Sequence, residues 1–361
     1  MALKTIIIME NPGIITLFGN LMESTKEDLI KIADVFGAKI KKTEAKAVIA
    51  KAISDFILAN PKKFLSGLML HELDLVKSIC EIKNNDEAVC APLMEDQMSL
   101  FNLSIMDIYD TEEDNIEMYD LPVDLKKAID DHIGLEIKRQ EDNIDDFFKE
   151  RAILANLNLI GVAGYDEFVS LIADMTDESP RDIDNYIHHK FLLASNVIDQ
   201  GDGIVLIKSP FLDEEYVDDI FQMMDENEHK CHCDFKAPVE EIMEWGNMPY
   251  PVSHLGYAQK LIKAIGKISD KEDIPDALLT QYWIDIQLTG DVSGAISMMI
   301  ANAGINDCDK INEMMPEFVK FANKMPRWAF LGHSSEEIMS SHKGKKGKAM
   351  ILPLNSRKTR K

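Results

Sequence analysis

A chain of 361 residues with 46% hydrophobic content can bury cores for roughly two to four small domains, and it is too apolar to be an acidic disordered protein. Its formal net charge of -24 favours solubility and repels nucleic acid over most of the surface. The cysteines, Cys80, Cys90, Cys231, Cys233 and Cys308, are odd in number and scattered, which fits a reducing cytoplasm better than a disulfide framework. The run Thr5 to Met9 is too short for a signal-peptide core, and no stretch approaches a membrane span, so a cytoplasmic protein without membrane contact is expected.

The expected fold class is mainly α with small β-hairpins. Residues 1–65 form the first expected module. Ser24 with Glu27 reads as a capping box ahead of the stripe Leu29, Ile30, Ile32, Ala33 and Phe36, and Gly37 is placed to close that helix. A short extended link, Ala38 to Lys42, leads from Thr43 into a second helix carrying Val48, Ile49, Ala52, Ile53, Phe56 and Ile57. Asn60 and Pro61 then start another. This arrangement, over Leu21 to Ile57, resembles the Rho-terminator N-terminal and SAP-like helix-extended-loop-helix modules. The resemblance implies phosphate contact through Lys39, Lys41, Lys42, Lys46 and Lys51, while the neighbouring acids Asp34 and Glu44 favour an ordinary solvated face.

Residues 66–135 and 136–228 share a pattern of parts. The first has an amphipathic helix from Leu68 to Cys80, a helical segment after Pro92, and strands Ile105 to Tyr109 and Ile116 to Tyr119 joined by an acidic turn. In the second, a helix from Ile144 to Leu159 is broken by Gly161 to Gly164, and Tyr165 to Ala173 forms the next. Ser179 with Pro180 caps a third, and strands Val197 to Ile198 and Ile204 to Ile207 follow. Three helices and a hairpin are the parts of a winged helix, so two such units in tandem are expected. Acids in both wings, Asp110, Glu112, Glu113 and Asp114 in one and Asp199 and Asp202 in the other, would repel phosphate. The third helix of the second unit offers Arg181 and Lys190 with His188 and His189 against Asp182 and Asp184, so protein contacts are favoured over DNA reading.

Residues 229–341 are expected to be helical, with apolar spacing through Ile242, Leu261, Ile265, Trp283, Ile286, Ile296 and Met299, and with Asp307 capping a helix through Ile311, Met315, Phe318, Val319 and Phe321, most of the Met and aromatic residues being packing. The cluster His229, Cys231, His232 and Cys233 holds the ligand types zinc prefers, but no second ligand pair closes a loop, so an inter-domain linker is the stronger reading and no cofactor is expected. The run Asn323, Lys324, Met325, Pro326, Arg327, Trp328, then Gly332, His333, Ser334, Ser335, Glu336 and Glu337 resembles the turn and capped helix of a group of poorly characterised bacterial proteins that often end in a SEC-C zinc motif. The resemblance implies a structural turn at Trp328 and Gly332. Since no cysteine follows Cys308, it implies no terminal zinc knuckle.

The last segment, 342–361, reverses the charge of the chain. Lys343, Lys345, Lys346, Lys348, Arg357, Lys358, Arg360 and Lys361 stand there with no carboxylate, a sequence fit for nucleic acid or for the acidic body itself. No phosphate-cradling glycine loop and no local catalytic constellation is present in sequence. The chain therefore reads as a non-catalytic adaptor or regulatory protein that binds an unidentified protein partner, with a nucleic-acid-associated factor as the alternative.

Overall fold

The computed structural model describes residues 5–8, 15–82, 87–90, 99–110, 117–227, 239–269 and 277–342. The described chain is mainly helical. Its contacts group into two compact units, Met1–Ile153 with Ala163–Pro210, and Leu154–Val162 with Phe211–Lys361.

In the first unit a strand β1 (Thr5–Ile8) is followed by helices α1 (Leu17–Glu23), α2 (Lys26–Phe36), α3 (Lys46–Ala59), α4 (Pro61–Gly67) and α5 (Leu70–Glu81). The capping box of α2 lies one residue beyond the expected pair. Thr25 Oγ1 accepts from the Asp28 N–H at 3.1 Å, and the Asp28 carboxylate accepts from the Thr25 N–H at 3.3 Å. Thr25 rather than Ser24 is the N-cap, and the Ser24 hydroxyl donates instead to Ser104 Oγ at 2.7 Å. Gly37 closes α2 in the left-handed conformation, φ 67°, and Pro61 opens α4 at its first turn, both as expected.

The chain continues through β2 (Glu87–Cys90), α6 (Ser99–Asn102), β3 (Asp107–Asp110), β4 (Glu117–Asp120) and α7 (Val123–Asp142). The expected wing hairpin exists as β3 and β4, with Ile108 opposite Tyr119, but it is half of a larger sheet in the order β1-β2-β4-β3. Thr5 pairs with Cys90 and Val89 with Tyr119, so both added strands come from elsewhere in the sequence. One hydrophobic core runs from Leu17, Leu29, Ile49 and Ile53 through Leu73, Val76 and Ile79 to Leu125, Ile129 and Phe191. The segments 1–65 and 66–135 therefore share a core, and Phe191 joins it by an edge-on contact with Phe36 at 4.7 Å between ring centroids.

Helix α8 (Ile144–Ile160) has its first residues in this unit and its last in the other. After β5 (Val162–Gly164) come α9 (Tyr165–Thr176), α10 (Pro180–His189), α11 (Phe191–Ala194), β6 (Val197–Asp199) and β7 (Val205–Lys208), the strands forming a sheet in the order β5-β7-β6. Ser179 caps α10 by accepting from Asp182 N–H at 3.2 Å. The second expected hairpin is β6 and β7, again extended by a third strand.

The second unit contains α12 (Val217–Asn227), α13 (Val239–Trp245), α14 (Gly256–Ile265), α15 (Ala277–Thr289), α16 (Val292–Asn302), α17 (Cys308–Lys324) and α18 (Ser335–His342). Helix α15 is apolar around most of its circumference and is buried accordingly, from Leu278 through Tyr282, Trp283 and Ile286. Trp283 sits between Trp245 and Trp328, at 5.5 and 5.6 Å between ring centroids. The segment 154–162 belongs to this core. Asn158 Nδ2 donates to the Trp245 carbonyl at 2.9 Å, and Trp328 Nε1 donates to the Asn158 carbonyl at 2.8 Å. Among the described residues no helix is long and apolar enough to cross a membrane.

Candidate functional site

Two features of the described residues combine chemistry with geometry, one in each unit. In the first unit a buried ionic network gathers at the start of α5. Glu72 is fully buried and accepts from Met69 N–H at 2.9 Å, from Ser99 N–H at 2.7 Å and from the Ser99 hydroxyl at 2.6 Å. Burial nonetheless pushes its carboxyl above the usual range, against those hydrogen bonds and the Lys190 charge.

Lys190, which follows the last residue of α10, is 3% exposed. Its ammonium donates to the Leu68 carbonyl at 2.7 Å and to Gln140 Oε1 at 3.1 Å, with Glu150 Oε2 at 3.7 Å. Burial pulls its pKa down, while Glu150 and Glu72 oppose that. Three partners meet the three donors of an ammonium, so the group braces α4, α7, α8 and α10 together. It is not open for docking, which removes it from the expected recognition surface of α10. His188 and His189 diverge as their adjacency requires. His188 lies on the exposed side beside Asp184 and Tyr165, and His189 lines a recess of about 100 Å³ with Ser66, Arg139, Phe147 and Tyr186.

Burial, then the Lys190 and Arg139 charges, hold the His189 imidazole below its usual value of 6.5. The folded state thus binds this proton less tightly than the unfolded chain. Stability from His189 is present above pH 6.5 and is lost as pH falls toward the lowered folded value. Glu72 works in the opposite sense, because its raised value favours the fold when protonated and that contribution is lost as pH rises through it. Comparing the native chain with His189→Gln isolates the histidine. Urea denaturation at stepped pH should show a shallower loss of stability just below pH 6.5 in the variant.

In the second unit, helices α17 and α18 frame a groove. Asp307 caps α17 as expected, accepting from Asp309 N–H at 2.9 Å and Lys310 N–H at 3.3 Å. Phe318, Phe321 and Ala322 face inward, with Phe321 stacked on Tyr282 at 5.8 Å. The chain then turns through a 3-10 segment at Trp328–Phe330, with Leu331 at φ 53° and Gly332 at φ 86°. Gly332 N–H donates to the Arg327 carbonyl at 3.0 Å, a closure that needs the left-handed conformation glycine adopts freely. Ser334 and Glu337 form a reciprocal capping box, at 2.7 and 3.2 Å, which launches α18 back along α17. The chain thus turns between Trp328 and Gly332.

Between the two helices lies an open groove of about 650 Å³, lined by Met315, Pro316, Val319 and Met339, with Lys320 and Glu336 at its margins. Val319 and Met339 are 42% and 41% exposed. Val319 therefore stays outside the packed face of α17. The inward face of α17 is taken by Phe318 and Phe321, and Val319 is turned 100° from Phe318 by the helix itself. Pro316 has no N–H to give to the carbonyl of Asn312, four residues back on the same groove wall. An apolar floor with one base and one acid at its margin, Lys320 and Glu336, suits a peptide segment.

The other expected site residues divide. Lys42 pairs with Asp34 at 3.8 Å and Lys51 with Asp55 at 2.9 Å, while Lys39, Lys41 and Lys46 form no ion pair among the described residues. Lys39, Lys41 and Lys42 lie in the link between α2 and α3 and Lys46 and Lys51 on α3, in the first unit, and they are not drawn into one buried site. The cluster His229, Cys231, His232 and Cys233 and the basic residues 343–361 lie outside the described residues. No family model, no curated protein and no solved structure matches the chain.

Proposed function

We propose that this chain is a non-catalytic cytoplasmic adaptor or regulatory protein acting through protein–protein contacts, with the α17–α18 groove as its docking surface. The observation that carries this reading is the apolar floor at Met315, Val319 and Met339, with Val319 and Met339 exposed and Lys320 and Glu336 at the margin. Its complement is a segment of another protein that anchors apolar side chains there and sets a basic group against Glu336. The buried network around Lys190 supports the same reading, since its amine and carboxylates are committed to holding helices together.

Val319→Glu places a charge on the floor without disturbing the buried face of α17. Affinity capture with the full chain should recover a stoichiometric protein whose binding falls at least tenfold in this variant, with circular dichroism unchanged, and whose bound segment is basic. Equal binding by Val319→Glu would sink the proposal. The second reading, a nucleic-acid-associated factor, draws on the unpaired Lys39, Lys41 and Lys46. It would replace the first if generic DNA or RNA bound in a steeply salt-dependent way and charge reversal of those lysines abolished binding.

A further inference from the structure

The described chain ends at His342, the last residue of α18, and Met339 of the groove is less than one helical turn earlier. The segment that follows has a layered composition. Lys343 to Lys348 is basic and interrupted by Gly344 and Gly347. Ala349, Met350, Ile351, Leu352, Pro353 and Leu354 form the apolar run of the tail, and Arg357 to Lys361 is basic again. Its apolar centre matches the apolar floor of the groove.

Reach permits the same chain to supply it. Six residues, 343–348, span up to about 20 Å when extended. The groove wall from Asn312 to Asn323 is eleven helical steps, about 16 Å long. Glu336 of α18 lines the groove and offers a carboxylate to a basic flank. Tethering adds an effective concentration in the millimolar range, so even a weak contact is populated.

We propose that Ala349–Leu354 docks in the α17–α18 groove of its own chain, making the basic tail an internal plug that a partner of the same chemistry must displace. The proposal rests on the groove being a docking surface. It assigns the tail an apolar anchor as well as its charge.

The test uses the full chain with p-benzoylphenylalanine in place of Ile351, because photoactivated benzophenone inserts preferentially at methionine. Irradiation should give an internally cross-linked monomer whose peptide map joins position 351 to the segment holding Met315 or Met339. Val319→Glu should lower that yield at least tenfold. Cross-links scattered over other acidic surfaces, cross-linked dimers, or no cross-link would each overturn the plug. Partner capture separates this from the reading it rests on. If removing residues 343–361 leaves capture unchanged while Val319→Glu abolishes it, the plug fails and the docking surface stands. If the internal cross-link forms but no protein depends on the groove, the plug stands and the adaptor reading fails.

Discussion

Trp328→Ala is expected to destabilise the second unit by about 3–5 kcal/mol, measured as a drop in urea midpoint by circular dichroism. The indole is fully buried, edge-on to Trp283, and donates to the Asn158 carbonyl at 2.8 Å. Alanine leaves a cavity and an acceptor without its donor, the latter worth about 1–3 kcal/mol alone. Trp328→Phe keeps most of the volume and should lose chiefly the hydrogen bond. Gly161 gives the matching test from the other side. Its φ is +86°, and a Cβ there would stand 2.6 Å from Trp328 Cγ, so Gly161→Ala is both strained and clashing. The clash disappears when Trp328 is already alanine, so the two substitutions should cost less together than their separate costs predict.

Lys190→Met is expected to cost the first unit about 3–5 kcal/mol, because it removes one partner of a buried ion pair and leaves the other. Glu150 would lose its cation and Gln140 Oε1 its donor, while the Leu68 carbonyl keeps only the Gln140 Nε2 donor at 3.2 Å. Methionine matches the length of the stem, which confines the loss to the charge and its hydrogen bonds. Adding Glu150→Gln to Lys190→Met should recover part of the stability, since the carboxylate no longer has to be buried unpaired. Chemical denaturation of the four members of this cycle measures the coupling, expected between about 0.5 and 3 kcal/mol.

Local chemistry made much of this fold legible. The end of α2 at Gly37, the start of α4 at Pro61, the caps at Ser179 and Asp307 and the turn from Trp328 to Gly332 depend on a few neighbouring residues. The cap of α2 falls at Thr25 with Asp28, one residue past Ser24 and Glu27 and at the same spacing. Both expected hairpins pair, but the strands that extend them are not legible locally. Thr5 to Ile8 finds Glu87 to Cys90 only in three dimensions, so two hairpins grew into sheets of four and three strands.

The candidate sites were less legible because each depends on which face a helix turns inward. Lys190 looked like a surface cation of a recognition helix. A signal was present in the run Phe191, Leu192 and Leu193 that follows it, all buried, but its partners Glu150 and Leu68 come from distant helices. Val319 and Met339 carry no mark of exposure in sequence, because an apolar residue at helical spacing is read as core. Only the burial of Phe318 and the packing of Phe321 against Tyr257 and Tyr282 decide that Val319 is left outside.

The hydrogen bond between Asn158 and Trp328 joins residues 170 positions apart, and that separation is also an interval of time. At about 5–20 residues per second, Trp328 leaves the ribosome roughly ten to thirty seconds after Asn158. Trp245, the other partner of Asn158, lies 87 positions on and emerges about halfway through that delay. Leu154, Leu157 and Leu159 belong to the unit that closes last, so for the length of the delay they are the apolar stretch of the nascent chain that a chaperone would be expected to hold.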